Sequence, residues 1–135
     1  MKYKSHGNFF ALPNEIFLWG LTTGELAVYS FLRRCEDRKT RQCWPSIKTI
    51  GKAVNMSENT VRKYIRQLEE RGIITAEPTE VITKAGGKRN GNLRFTLRPI
   101  QEVIDEYYAR QMEDLELAAE RQRVAKLLTE QESHA

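Results

Sequence analysis

Pro45-Ser46-Ile47-Lys48-Thr49-Ile50-Gly51-Lys52-Ala53-Val54-Asn55-Met56-Ser57-Glu58-Asn59-Thr60-Val61-Arg62-Lys63-Tyr64-Ile65-Arg66-Gln67-Leu68-Glu69-Glu70-Arg71-Gly72-Ile73-Ile74 is the stretch whose periodicity decides the fold. Ser46 after Pro45 is a good N-cap, and Ile47, Ile50, Ala53 and Val54 recur at helical spacing. Asn55-Met56 breaks that helix after about two turns. Ser57 caps a second helix running from Glu58 to Arg71, and Gly72 stands where helices commonly end. The inner stripe of this second helix is Val61, Tyr64, Ile65 and Leu68.

Outward from this pair the period changes. After Gly72, Ile73-Ile74-Thr75-Ala76 and Leu93-Arg94-Phe95-Thr96-Leu97 alternate as strands do. Val81-Ile82-Thr83 extends the first strand beyond a bend at Pro78, and Ala85-Gly86-Gly87-Lys88-Arg89-Asn90-Gly91-Asn92 reads as a turn rich in positive charge. Upstream, Thr22 with Glu25 forms a capping box for a helix through Arg34, with Ala27, Val28, Phe31 and Leu32 on its apolar face. Leu26, Tyr29 (or Ser30) and Arg33 fall on the other side. Pro13 to Gly20 reads as one or two helical turns, Phe9-Phe10-Ala11-Leu12 as a small edge strand, and Cys35 to Pro45 as a charged loop. From Pro99 the pattern is helical to near the end, with Thr129 to Ala135 expected to fray.

A short helix, a three-residue turn, a longer helix, a glycine and a basic-tipped hairpin, in that order, resemble a winged helix-turn-helix domain. The resemblance rests on Ser57-Glu58-Asn59-Thr60-Val61 and on Leu68-Glu69-Glu70-Arg71-Gly72-Ile73-Ile74, which match the signature such families share. Leu12-Pro13-Asn14-Glu15-Ile16-Phe17 and Cys43-Trp44-Pro45-Ser46 are similar to helix-turn-helix and replication-initiator proteins of plasmids, phages and conjugative elements of Gram-positive bacteria. The likeness runs from Phe9 to Leu97. It implies a mostly α fold with a small β-hairpin. A winged helix-turn-helix DNA-binding domain over 1–98 would be followed by a C-terminal acidic helix over 99–135.

At 100° per residue, Asn59, Lys63, Arg66 and Glu70 lie opposite the apolar stripe of the second helix, with Arg62 on one shoulder and Thr60 and Gln67 on the other. Amides and guanidinium groups suit base edges: Asn or Gln reads adenine, Arg or Lys reads guanine. Ser57 and Thr60 at the helix start offer hydroxyls to phosphate, where the helix dipole also favours an anion. Ser46, Lys48 and Thr49 open the preceding helix, which in this fold crosses the backbone and positions the domain. Lys84, Lys88, Arg89 and Arg94 at the wing would follow phosphates or enter the minor groove. Glu69 and Glu70 carry the wrong charge for DNA, so the contact surface ends before them. The bland alternatives are a solvated helix face and a hairpin kept soluble by its charges.

Charge distribution agrees with a polyanion partner. Residues Met1 to Pro99 hold 18 Lys+Arg against 9 Asp+Glu, a balance of +9, while Ile100 to Ala135 hold 4 against 9, a balance of −5. Each cation placed on a phosphate releases a condensed counterion. With 135 residues, two full cores do not fit. No run approaches the ~20 apolar residues of a membrane span, and Met1-Lys2-Tyr3-Lys4 leads into no signal peptide, so a cytoplasmic protein is expected. Cys35 and Cys43 read as buried thiols, since a zinc site needs about four ligands and only His6 and His134 remain. Trp19 and Trp44 read as core residues. Two histidines near the termini build no catalytic triad, and Gly86-Gly87-Lys88 is no phosphate-binding loop. No enzyme, cofactor or metal is expected.

In the C-terminal helix Ile104, Tyr108, Met112, Leu115 and Ala119 draw a stripe that continues into Gln122 and Lys126, short of a strict heptad. Either it packs back on the wing domain, or it pairs with a second copy to make a homodimer. The function expected is sequence-specific binding of double-stranded DNA. That binding would serve transcription control or replication initiation on a mobile element. A protein-interaction adaptor of a replication complex, docking through Tyr107-Tyr108 to Leu117, is the competing class. A single-strand or RNA binder ranks last, because the aromatics are expected on inner faces.

Overall fold

Thr22 starts the first long helix, α1 (Thr23–Cys35), by satisfying its free amides. Its hydroxyl accepts from the Glu25 N–H at 3.4 Å, and its backbone N–H donates to the Glu25 carboxylate at 3.5 Å, which completes the capping box. In a computed structural model, which describes Asn8–Ser133, a 3-10 turn over Asn14–Leu18 precedes this helix and buries Ile16. Phe9 to Leu12 form no strand. Phe9 is 85% exposed, and the run pairs with neither edge of the sheet.

Helix α2 (Ile47–Val54) begins at Ser46, whose hydroxyl accepts from the Thr49 N–H at 3.0 Å. It ends at Asn55, which takes the left-handed conformation (φ 57°) that asparagine tolerates. The Met56 N–H then donates to the Gly51 carbonyl at 2.9 Å, so the chain folds back over α2. A Cβ on Gly51 would stand 2.7 Å from the Met56 carbonyl oxygen. Only glycine lets the turn approach this closely. Ser57 caps α3 (Glu58–Glu70), and Gly72 at φ 73° terminates it.

Three antiparallel strands form the sheet in the order β1 (Gln42–Cys43), β5 (Arg94–Leu97), β2 (Ile74–Glu77). The Cys35–Pro45 segment, expected as a loop, therefore contains a strand. Two residues carry no period of their own, and β1 exists because Cys43 pairs with Phe95 and Gln42 with Thr96. A second ladder, β3 (Glu80–Ile82) with β4 (Lys88–Asn90), makes the outer wing. Lys88-Arg89-Asn90, read as turn residues, are thus a strand, and the turn itself is Thr83 to Gly87, closed by Thr83 N–H to the Gly87 carbonyl at 2.7 Å.

Val28, Leu32, Ile50, Val61, Leu68, Phe95 and Leu97 meet in the core. Tyr29 joins them, contrary to its expected outer position, and its ring meets Trp19 edge-on at 5.7 Å. Burial pushes its hydroxyl up to about 12. Ala53 is exposed and Tyr64 half-buried. Glu25 is the one buried carboxylate of this core among the described residues, and Arg71 pairs with it from the end of α3. Residues to Ile100 form one compact unit and those from Gln101 another, the second carrying nearly all of helix α4 (Ile100–Ser133). Thr129 to Ser133 are helical.

Candidate nucleic-acid interface

Burial of Val61, Ile65 and Leu68 against the core fixes which side of α3 faces out. Asn59, Arg62, Lys63 and Arg66 are exposed on that side, with Thr60 and Gln67 half-buried at its edge. Asn59, Lys63 and Arg66 lie on one helix face over about 10 Å of axis. A helix of this kind fits a major groove ~12 Å wide. Among the described residues, Lys48, Lys63, Arg66, Lys84 and Arg89 take part in no ion pair. Arg62 meets Glu58 at 4.0 Å with both side chains about half exposed, a contact weak enough to exchange for phosphate. The Lys63 ammonium stands 5.2 Å from the centre of the Tyr64 ring.

Hydroxyls are partly committed. Ser57 Oγ accepts from the Thr60 N–H at 3.3 Å and donates to Thr60 Oγ1 at 2.8 Å. The proton of Thr60 therefore remains available for a phosphate. Ser46 Oγ lies 2.7 Å from Thr49 Oγ1 in the same arrangement at the start of α2, where Lys48 is exposed.

On the wing, Lys84, Lys88 and Arg89 are all exposed, but they do not share one face. Neighbouring residues of a strand point to opposite sides, so Lys88 and Arg89 on β4 diverge. Lys88 meets Glu80 at 3.8 Å, and Arg94 pairs with Glu77 at the wing's base. The wing is less positive than its sequence implies.

Trp44, expected in the core, is 48% exposed. Cys43 beside it turns inward, and the pleat sends the next side chain out. Asn92 Nδ2 donates to the Trp44 carbonyl at 3.1 Å, which ties the approach to α2 to the base of the wing. Phe9, Phe10, Phe17 and Tyr108 are also exposed, so the aromatics do not all fall on inner faces. Alternation through Gln42, Cys43 and Trp44 was the available signal for Trp44. Cys43 is buried, its Sγ 3.7 Å from the Leu32 carbonyl, and burial pushes its thiol up to about 12. Cys35 is half-buried, and neither cysteine forms a disulfide. No group of three or more His, Cys, Asp or Glu able to hold a metal occurs among the described residues, outside which His6 and His134 lie, as does the Met1–Lys4 segment. No helix of the described residues is long and apolar enough to cross a membrane.

Residues 20–74, from just before α1 to the first residue of β2, match the family model described as a helix-turn-helix domain. No curated protein matches the chain. Among solved structures, a possible transcriptional regulator from Methanosarcina mazei Go1 is similar at 17% identity, with a TM-score of 0.43 over 73% of this chain and 79% of that one. A MarR family transcription regulator is similar at 22% identity, with a TM-score of 0.42 over 77% of this chain and 60% of that one.

Proposed function

We propose that this chain is a non-enzymatic, sequence-specific regulator that binds double-stranded DNA. Helix α3 enters the major groove. Asn59, Arg66 and Gln67 read base edges, while Arg62, Lys63 and Thr60 hold the flanking backbone. Ser46, Lys48 and Thr49 at the start of α2, with Ser57 at the start of α3, set the register. Lys84, Lys88 and Arg89 bring the wing to the adjacent phosphates. One observation carries this reading: Asn59, Lys63 and Arg66 share the outer face of a helix whose inner face is buried, and neither cation there is neutralised within the described residues. The role is control of transcription or of replication on a mobile element in the cytoplasm. The active species is a homodimer joined through α4.

The test is selection of a cognate duplex followed by titration of the Arg66→Ala variant. Arg66→Ala weakens binding to the selected site by ~1–3 kcal/mol and leaves random duplex almost unaffected. Equal loss on both sequences would remove Arg66 from base reading. No binding to any duplex, with salt-insensitive capture of a replication protein, would favour the adaptor instead.

A further inference from the structure

Helix α4 is 34 residues long, about 51 Å, and every residue from Tyr108 to Ser133 is exposed. At 100° per residue, Tyr108, Met112, Leu115, Ala119 and Gln122 fall in a band about 80° wide that holds no charge as far as Gln122, after which Lys126 falls on its midline. Tyr108, Met112 and Leu115 expose 46%, 59% and 66% of their surface. Leu117, Val124 and Leu128 lie on the other side of the helix, so α4 as a whole has no single apolar face. Charge is divided along its length. Residues 100–116 hold six carboxylates and one arginine, whereas residues 117–133 hold three carboxylates, two arginines and a lysine.

We propose that this uncharged band is the contact surface for a second copy of the chain, with the two α4 helices antiparallel and crossing near Asp114. This rests on the self-association put forward above and adds its orientation and register. A two-fold contact of this type uses the same patch on both copies. Residues flanking the band set orientation, as they do in helical zippers. Asp105, Glu116 and Arg123 lie on one flank, and Tyr107, Asp114 and Ala125 on the other. In a parallel pair opposite flanks meet at equal height. Glu116 of each copy would then face Asp114 of the other, and the two acidic halves would run side by side.

In an antiparallel pair like flank meets like flank and the acidic half lies along the neutral half. Crossing at Asp114 sets the two exposed Asp114 carboxylates on one flank at the axis, a single like-charge contact, and puts Asp105 of each copy level with Arg123 of the second copy, twice by symmetry. Met112 and Leu115 of both copies meet around the axis, and Tyr108 lies over the small side chain of the second copy's Ala119. Large side chains thus oppose small ones along the seam. Among the described residues Arg123 meets only Glu120 of its own helix, at 3.0 Å, an exposed pair that is cheaply exchanged.

Sedimentation equilibrium of the full chain from micromolar to tens of micromolar tests this. A two-chain mass is expected, and Leu115→Lys reduces it to one chain while far-UV circular dichroism keeps its helical signal. Asp105→Arg and Arg123→Asp each weaken the dimer by about five- to tenfold, and the double variant regains the affinity of the parent. One-chain mass at every concentration overturns both the self-association and its orientation. A two-chain mass that the single variants leave unchanged, or that the double variant fails to restore, overturns the antiparallel register and leaves self-association standing.

Discussion

Trp44 carries its indole half in solvent because Cys43, the last residue of β1, turns its own side chain into the core and the pleat reverses at the next position. Trp19 is buried against Tyr29. The two tryptophans therefore report on different environments. Iodide quenches most of the emission of the Trp19→Phe variant, and Trp44→Phe leaves a protected emission at shorter wavelength. The reverse pattern would contradict the orientation of β1. Residue types alone did not separate these two side chains. Composition places tryptophan in cores, whereas Trp44 is directed by a two-residue strand that exists only through pairing with Phe95 and Thr96. Tyr29 misled in the opposite sense, since a hydroxyl on a helix shoulder reads as an outer residue until Trp19 covers it. By contrast, Ser46, Thr22 and Ser57 were legible as caps, because capping depends on neighbours within three residues.

At the scale of elements, two contacts hold the helices in the arrangement the groove face needs. The first is the pair between Glu25 on α1 and Arg71 at the end of α3. Burial alone would raise the Glu25 carboxyl, but hydrogen bonds from Arg71 and Thr22 and the guanidinium charge outweigh it and hold the group below its ordinary 4.5. A carboxylate depressed in the folded state adds stability that is present above the unfolded value and fades as pH falls through the folded one. Glu25→Gln should cost about 1–3 kcal/mol at neutral pH, the exposure of Arg71 limiting the loss. The variant should also lose less than the parent between about pH 5 and 3 in urea melts. A variant as stable as the parent at pH 7, or equally acid-sensitive, would contradict the role given to this pair.

The second contact is the close approach of the Met56 carbonyl to Gly51. Gly51→Ala must push the turn away from α2, at about 1–3 kcal/mol. DNA affinity should fall together with thermal stability, because α3 is displaced from its seat on α2. Unchanged melting would show that the turn has room the geometry denies. Pairing across elements is what a single sequence conceals: the helix-turn-helix follows from periodicity, but the split of the wing into two ladders at Pro78-Thr79 depends on which strands find each other.

For the molecule as a whole, charge was the most legible property, and the structure refines where it is usable. The +9 balance of residues 1–99 is partly spent internally, on Glu25 by Arg71, on Glu36 by Arg33, on Glu77 by Arg94 and on Glu80 by Lys88. Among the described residues up to Pro99, the cations outside any ion pair lie on α2, α3 and the wing, and at Arg38, Lys39 and Arg41 before β1. Fluorescence-anisotropy titration with random duplex DNA, repeated from low to physiological salt, tests this footprint most directly. A slope of log affinity against log salt of about −4 to −6 is expected, from roughly five to seven phosphates neutralised. Failure to bind duplex even at low salt, or a slope near zero, would contradict the reading of α3 and the wing as a DNA surface.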